Sequence, residues 1–204
     1  PKVLDRANVL EFRIGPEQAG AFLSQNGKFV ASAIPTIGAP LVFLDLSRRA
    51  RGLAQPALAS PSDAALKECR DSLQGFFDLL HTVRLEFAFR TINEIMRYLH
   101  VDFEFAANKS EWKWQDCLDA QVLQKILPKL HGSRRRLEAI LIALANYCEA
   151  RNLDAAKKYL QREAELNSSP AANPPGSLAF PLSRTKLLEM IETVRRDQFV
   201  SFIQ

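Results

Sequence analysis

The sequence predicts a mainly α protein, a helical bundle with a small irregular β portion at its N-terminal end. Three observations carry this. Apolar residues recur at helical spacing in successive segments from Ser60 onward. Helix start signals stand in front of those segments. Proline and glycine gather before Ala59, where Gly27, Gly38, Gly52, Pro35, Pro40 and Pro56 leave only short uninterrupted pieces.

In chain order, Val9-Leu10-Glu11-Phe12-Arg13-Ile14 alternates well enough for one strand, closed by Gly15-Pro16. From there to Ala59 an irregular connection or insertion is expected, with Leu41-Val42-Phe43-Leu44 as a second brief strand. Residues 1–59 are therefore set apart from a helical domain over 60–204. Ser60-Pro61-Ser62-Asp63 opens the first long helix, with a Ser cap, proline at the first helical position and an acid in the first turn. Its inward face is Leu66, Cys69, Leu73, Phe76, Phe77, Leu80 and Val83.

A second helix is expected over Arg90–His100, burying Ile92, Ile95, Met96 and Leu99, and a third over Leu118–Leu130, kinked or ended by Pro128. Gly132-Ser133 makes a turn, and Ser133 caps a fourth helix with Leu137, Ile140, Leu141, Leu144 and Tyr147 inward. A more polar fifth helix covers Leu153–Glu165. The segment around Asn167–Gly176, rich in Ser, Asn and Pro, reads as a mobile loop over about 167–179. Ser183 caps a last helix with Leu187, Leu188, Ile191 and Val194 inward, and Phe199–Ile203 forms an extended tail.

Composition excludes several classes. Of 204 residues, 47% are hydrophobic and 25% charged, enough apolar material for a core and too much for a disordered chain. No run approaches the roughly 18 apolar residues of a membrane span, and no charged-then-apolar leader opens the chain, so neither a membrane span nor a signal peptide is expected, and the three cysteines, read as reduced, imply a cytoplasmic setting. Cys69, Cys117 and Cys148 show no CxxC or His/Cys metal spacing; they read as reduced, buried thiols, with no metal site.

Two phosphate-loop imitations fail. Gly15–Gly20 has the GxxxxG spacing, but Ala21-Phe22 follows where Lys-Ser/Thr is required. Leu41–Asp45 imitates an apolar strand ending in a metal-binding Asp, but no carboxylate follows to position water. His81, His100 and His131 fit no GxSxG or HExxH context. On motifs alone, the chain has no self-contained active site.

The cations remain. The net charge of +4 is modest, but Ala120–Leu137 contains no acid and carries Lys125, Lys129, Arg134, Arg135 and Arg136. This is either a solvated helix end with a basic loop or a patch for a partner or nucleic acid. Arg90 opens a helix, where the dipole disfavours a cation. Either a bound anion or an ion pair to Glu86 or Glu94 would account for it.

Several segments resemble McrB-like AAA+ NTPases, the motor subunits related to modification-dependent restriction systems. Pro1-Lys2-Val3-Leu4-Asp5-Arg6-Ala7-Asn8-Val9-Leu10-Glu11-Phe12 resembles the segment after sensor 1, and Phe87–Tyr98 the lid-helix motif. Leu123–Leu137 is the most distinctive match. Phe180–Leu188 with Asp197–Phe202 is similar to the family's C-terminal end, whereas Gly15–Ala59 matches nothing specific.

The resemblance implies the C-terminal part of such an ATPase or GTPase: an arginine-finger segment, then a helical AAA+ lid-type bundle. The core with Walker A, Walker B and sensor 1 would precede Pro1. By the resemblance Arg6 is the arginine finger acting in trans, and Arg90 the sensor 2 residue touching nucleotide. Arg135 and Arg136 would make nucleotide contacts, and Lys125, Lys129 and Arg134 nucleic-acid or partner contacts. ATP or GTP with Mg2+ would belong to the intact parent, with none bound by this chain alone. The implied partners are a homo-oligomeric ring, a McrC-like nuclease subunit and DNA. Two other readings stand beside it: a standalone nucleic-acid-binding module using Lys125–Arg136, and a helical adaptor docking a nuclease through Phe199, Phe202 and Ile203.

Overall fold

In the computed structural model, which describes residues 39–50, 59–161 and 178–203, the elements are helices and one pair of two-residue strands. Arg6, the Val9–Ile14 strand, the end of the fifth helix and most of the expected 167–179 loop lie outside these residues. The chain divides into two compact units, and the larger takes in everything from Ala59 onward. Mainly α is therefore the observed class.

In the smaller unit, α1 spans Ala39–Ala50. This corrects the expected Leu41–Leu44 strand. A run of four apolar residues carries no period of its own. Here the neighbours decide: Asp45 and Arg49 pair across one turn at 3.9 Å, and Arg48 and Arg49 sit in the last turn, where the helix dipole favours cations. Leu41, Phe43 and Leu44 are exposed.

The larger unit starts with α2, Asp63–His81. Its cap is Ser62, whose Oγ accepts from the Ala65 N–H at 3.2 Å, two residues later than the expected Ser60 cap. Leu66, Cys69, Leu73, Phe76, Leu79 and Leu80 form the buried face, while Phe77 and Val83 pack against it. Helix α3, Phe89–Phe105, runs five residues past the expected end at His100.

The expected single helix over Leu118–Leu130 is instead three pieces. These are α4 (Trp114–Gln121), a π turn (Val122–Ile126) and a 3-10 turn (Leu127–Lys129). Pro128 has no N–H and its ring crowds the carbonyl of Gln124, so α turns cannot run through it. Gly132-Ser133 is β1 rather than a free turn, antiparallel to β2, Phe199–Val200, with Gly132 opposite Val200.

Helix α5, Arg134–Ala150, is the axis of this unit. Besides the five expected residues, Ile142, Ala143, Ala145 and Cys148 are buried, so the helix is covered on nearly all sides. It packs along α6 (Leu153–Gln161) and α7 (Pro181–Asp197). Ser133 sits at its N-cap position but makes no side-chain capping bond. Phe76 joins the core layers, 5.0 Å edge-on from Tyr147 and 5.4 Å from Phe180.

The N-terminus of α7 corrects another expectation. Ser183 is not the cap; it is the third helical residue and buried. The capping group comes from α4, where the Asp119 carboxylate accepts the N–H groups of Leu182 at 2.7 Å and Ser183 at 2.8 Å. Ahead of it, Ala179 and Phe180 donate their N–H groups to the carbonyls of Glu149 and Cys148, so the chain is fixed before the expected loop boundary. All three cysteines are buried free thiols, and burial pushes the Cys69 thiol up to about 12.

Candidate functional site at the first turn of α3

Helix α3 starts without help. Ala88 offers no capping side chain and the first turn has no acid, so nothing local balances the positive end of the dipole. Arg90 sits in that turn with 58% of its side chain exposed, and its Nε donates to Glu94 Oε1 at 3.0 Å. Of the two ion-pair partners considered for it, Glu94 is the one used; Glu86 lies 3.6 Å from His81.

Glu94 is shared. Its other oxygen accepts from Lys125 Nζ at 2.5 Å, and Lys125 is only 7% exposed. Burial works against ionising Glu94, but the hydrogen bonds and charges of Lys125 and Arg90 outweigh it and hold the carboxyl below its ordinary range. Lys129 Nζ donates to Thr91 Oγ1 at 3.3 Å. Two cations thus share one carboxylate at the start of α3, with Lys129 beside them on the Thr91 hydroxyl. The π turn supplies Lys125, and single π turns of this kind are frequent at functional sites.

The structure therefore splits the basic run. Lys125, expected at a nucleic-acid or partner contact, is instead buried against Glu94. Lys129 is half-buried beside it. Arg134 turns the other way: its Nε and that of Arg195 each donate to the buried Glu138 carboxylate at 2.6 Å. Arg135 and Arg136 are exposed on the first turn of α5. Of the tail residues, Phe202 is buried and packs under the Lys186 ammonium at 4.8 Å, whereas Phe199 and Ile203 are exposed.

Two features escaped the sequence. One is Glu94 as the hub: its i+4 spacing to Arg90 was visible, but the Lys125 partner lies 31 residues away. The other is a cavity of about 310 Å³ beside the same turn, lined by Phe77, Phe87, Phe89 and Ile92, with Arg70 and Gln74 as its polar members. A mixed-charge site also surrounds Arg151, which has φ 55°, lies 3.4 Å from Glu68 and covers the Trp114 ring at 5.1 Å.

Chemically, the α3 turn presents positive charge and aromatic surface. Among the described residues, no group of three His, Cys, Asp or Glu side chains is placed to hold a metal ion, and no described helix is long and apolar enough to cross a membrane.

No curated protein and no solved structure matches the chain. A family model does match, over residues 45–199, with the description "Domain of unknown function (DUF8727)". That match covers well over half of the sequence, and the chain belongs to this family.

Proposed function

We propose that the helical unit serves as the lid portion of a McrB-like AAA+ ATPase or GTPase, closing over a nucleotide held by a core elsewhere in the parent protein. One observation carries this reading. Arg90 stands on an uncapped helix start, its Nε fixed by Glu94 and its terminal nitrogens without a hydrogen bond among the described residues. Lys125 neutralises Glu94, so the charge of Arg90 is left for an incoming anion.

Phosphoryl transfer needs positive charge set against the charge that develops on the γ-phosphate, and a pre-oriented guanidinium supplies it without reorganisation. In this reading ATP or GTP with Mg2+ binds at the core. Copies of the parent form a ring with DNA and a McrC-like nuclease as partners, and Arg6 reaches the neighbouring subunit's nucleotide. Arg6→Ala in the full-length protein should abolish hydrolysis while nucleotide binding persists. Normal turnover by that variant in the assembled oligomer would remove the finger assignment.

A second reading, a nucleic-acid-binding module, has one observation in its favour: Arg135 and Arg136 are exposed side by side at the start of α5. DNA affinity should then fall steeply with salt. Replacing both with Ala should weaken binding and flatten that slope; unchanged binding would count against it.

A further inference from the structure

The cavity beside the first turn of α3 has a composition that suits one kind of ligand. Three phenylalanines come together there from separate parts of the chain: Phe77 from α2, Phe87 from the connection, and Phe89 from α3. Phe77 and Phe87 meet edge to face at 5.6 Å, so two walls are fixed by mutual packing. Phe89 is different. It is 85% exposed, a large apolar ring left facing water on the first turn of a helix. At about 310 Å³ the space is at the small end for ligand pockets, which run from about 300 to 1,000 Å³, and fits one ring system.

Its charge is as informative as its shape. Arg70 lines the cavity and makes no ion pair among the described residues. The nearby acids are engaged: Asp78 accepts from Gln74 at 2.7 Å, Glu86 lies by His81, and Glu94 is held by Arg90 and Lys125. Arg90 is not in the lining; it follows Phe89 in the first turn of α3, with its Nε held by Glu94. An aromatic wall with the Arg70 guanidinium in its lining, and with the terminal nitrogens of Arg90 open on the same helix turn, is an arrangement that stacks a base and meets its phosphate.

We infer that the Phe77–Phe87–Phe89 cavity takes a nucleobase, with Arg70 donating to the base and Arg90 meeting the attached phosphate. This deepens the lid reading and rests on it only for the phosphate at Arg90. It also goes beyond that reading, because it gives this chain a weak base site of its own. The base can belong to a free nucleotide or to a single strand, and the test separates the two.

The 204-residue chain would be titrated with adenosine 5′-monophosphate, inorganic phosphate and a short single-stranded oligo-dA, followed by amide chemical-shift changes. The nucleotide should bind more tightly than phosphate and shift Leu73, Phe89 and Ile92. Phe89→Ala, at a position too exposed to affect folding, should weaken nucleotide binding about five- to a hundredfold and leave phosphate unchanged. Tighter binding of the oligonucleotide, with the same dependence on Phe89, assigns the base to a strand; tighter binding of the monophosphate assigns it to a nucleotide. Equal affinity for phosphate and nucleotide, indifference to Phe89→Ala, or no binding of either base-containing probe would overturn the subsite. Phosphate binding lost in Arg90→Ala, with no added affinity from the base, would sink the subsite and spare the lid reading. The reverse pattern would keep the subsite and remove Arg90 from it.

Discussion

Lys125 Nζ lies 2.5 Å from Glu94 Oε2, and the pair joins the π turn to the first turns of α3 across 31 residues of sequence. The same carboxylate also holds Arg90. One acid thus has a buried partner that fixes it and an exposed partner that it orients.

These two partners should separate in mutagenesis. Lys125→Met removes the buried partner and leaves Glu94 undercompensated, so it should cost about 2–3 kcal/mol in urea unfolding. Arg90→Ala removes an exposed pair and should cost less than about 1 kcal/mol. Equal losses would mean that the two pairs do the same job.

Gly75 has a different kind of partner. A Cβ placed there would lie 2.0 Å from the Tyr147 hydroxyl, which donates to the Ser72 carbonyl at 3.1 Å. Gly75→Ala should therefore destabilise by about 2–4 kcal/mol, through overpacking and the loss of that buried hydrogen bond. Tyr147→Phe, which loses only the bond, should cost about 1 kcal/mol. Thermal melts of both variants check this.

Asp119 serves two backbone N–H groups of another helix. Asp119→Ala should cost about 2 kcal/mol as the start of α7 loses its cap, and Asp119→Asn should recover part of that, since one acceptor remains. Hydrogen exchange at Leu182 and Ser183 gives the direct readout: it should accelerate in the alanine variant more than elsewhere in α7.

Glu138 makes stability depend on pH. Burial opposes its ionisation, but the hydrogen bonds and charges of Arg134 and Arg195 together hold its carboxyl below the ordinary value of 4.5. A depressed carboxyl stabilises the fold above its unfolded pKa and loses that contribution as pH falls through the folded one. Stability should thus decline below about pH 4.5, and Glu138→Gln should decline less over that range while being weaker at pH 7. Urea midpoints at pH 7 and pH 3.5 decide it.

How far the sequence could be read follows from how local each signal is. The stripe of α5, from Leu137 to Tyr147, was legible because one helix face carries it, and so were the buried cysteines. The Leu41–Leu44 run was misread because four consecutive apolar residues fit a strand or a helix equally well. Ser183 looked like a cap since the real one, Asp119, lies 64 residues earlier. The basic run from Lys125 to Arg136 looked like one patch. In the fold Lys125 ends on Glu94 and Arg134 on Glu138, while Arg135 and Arg136 stay exposed, and neither acid could be picked out as a partner from the run itself.

In the proposed lid, Arg90 faces a nucleotide phosphate. Steady-state hydrolysis of ATP and GTP by the full-length protein, with and without Arg90→Ala, tests it most directly. Turnover should be at least about tenfold slower in the variant, with folding and oligomeric state unchanged. Unchanged turnover in a folded Arg90→Ala protein, or no hydrolysis of either nucleotide by the unaltered one, would contradict it.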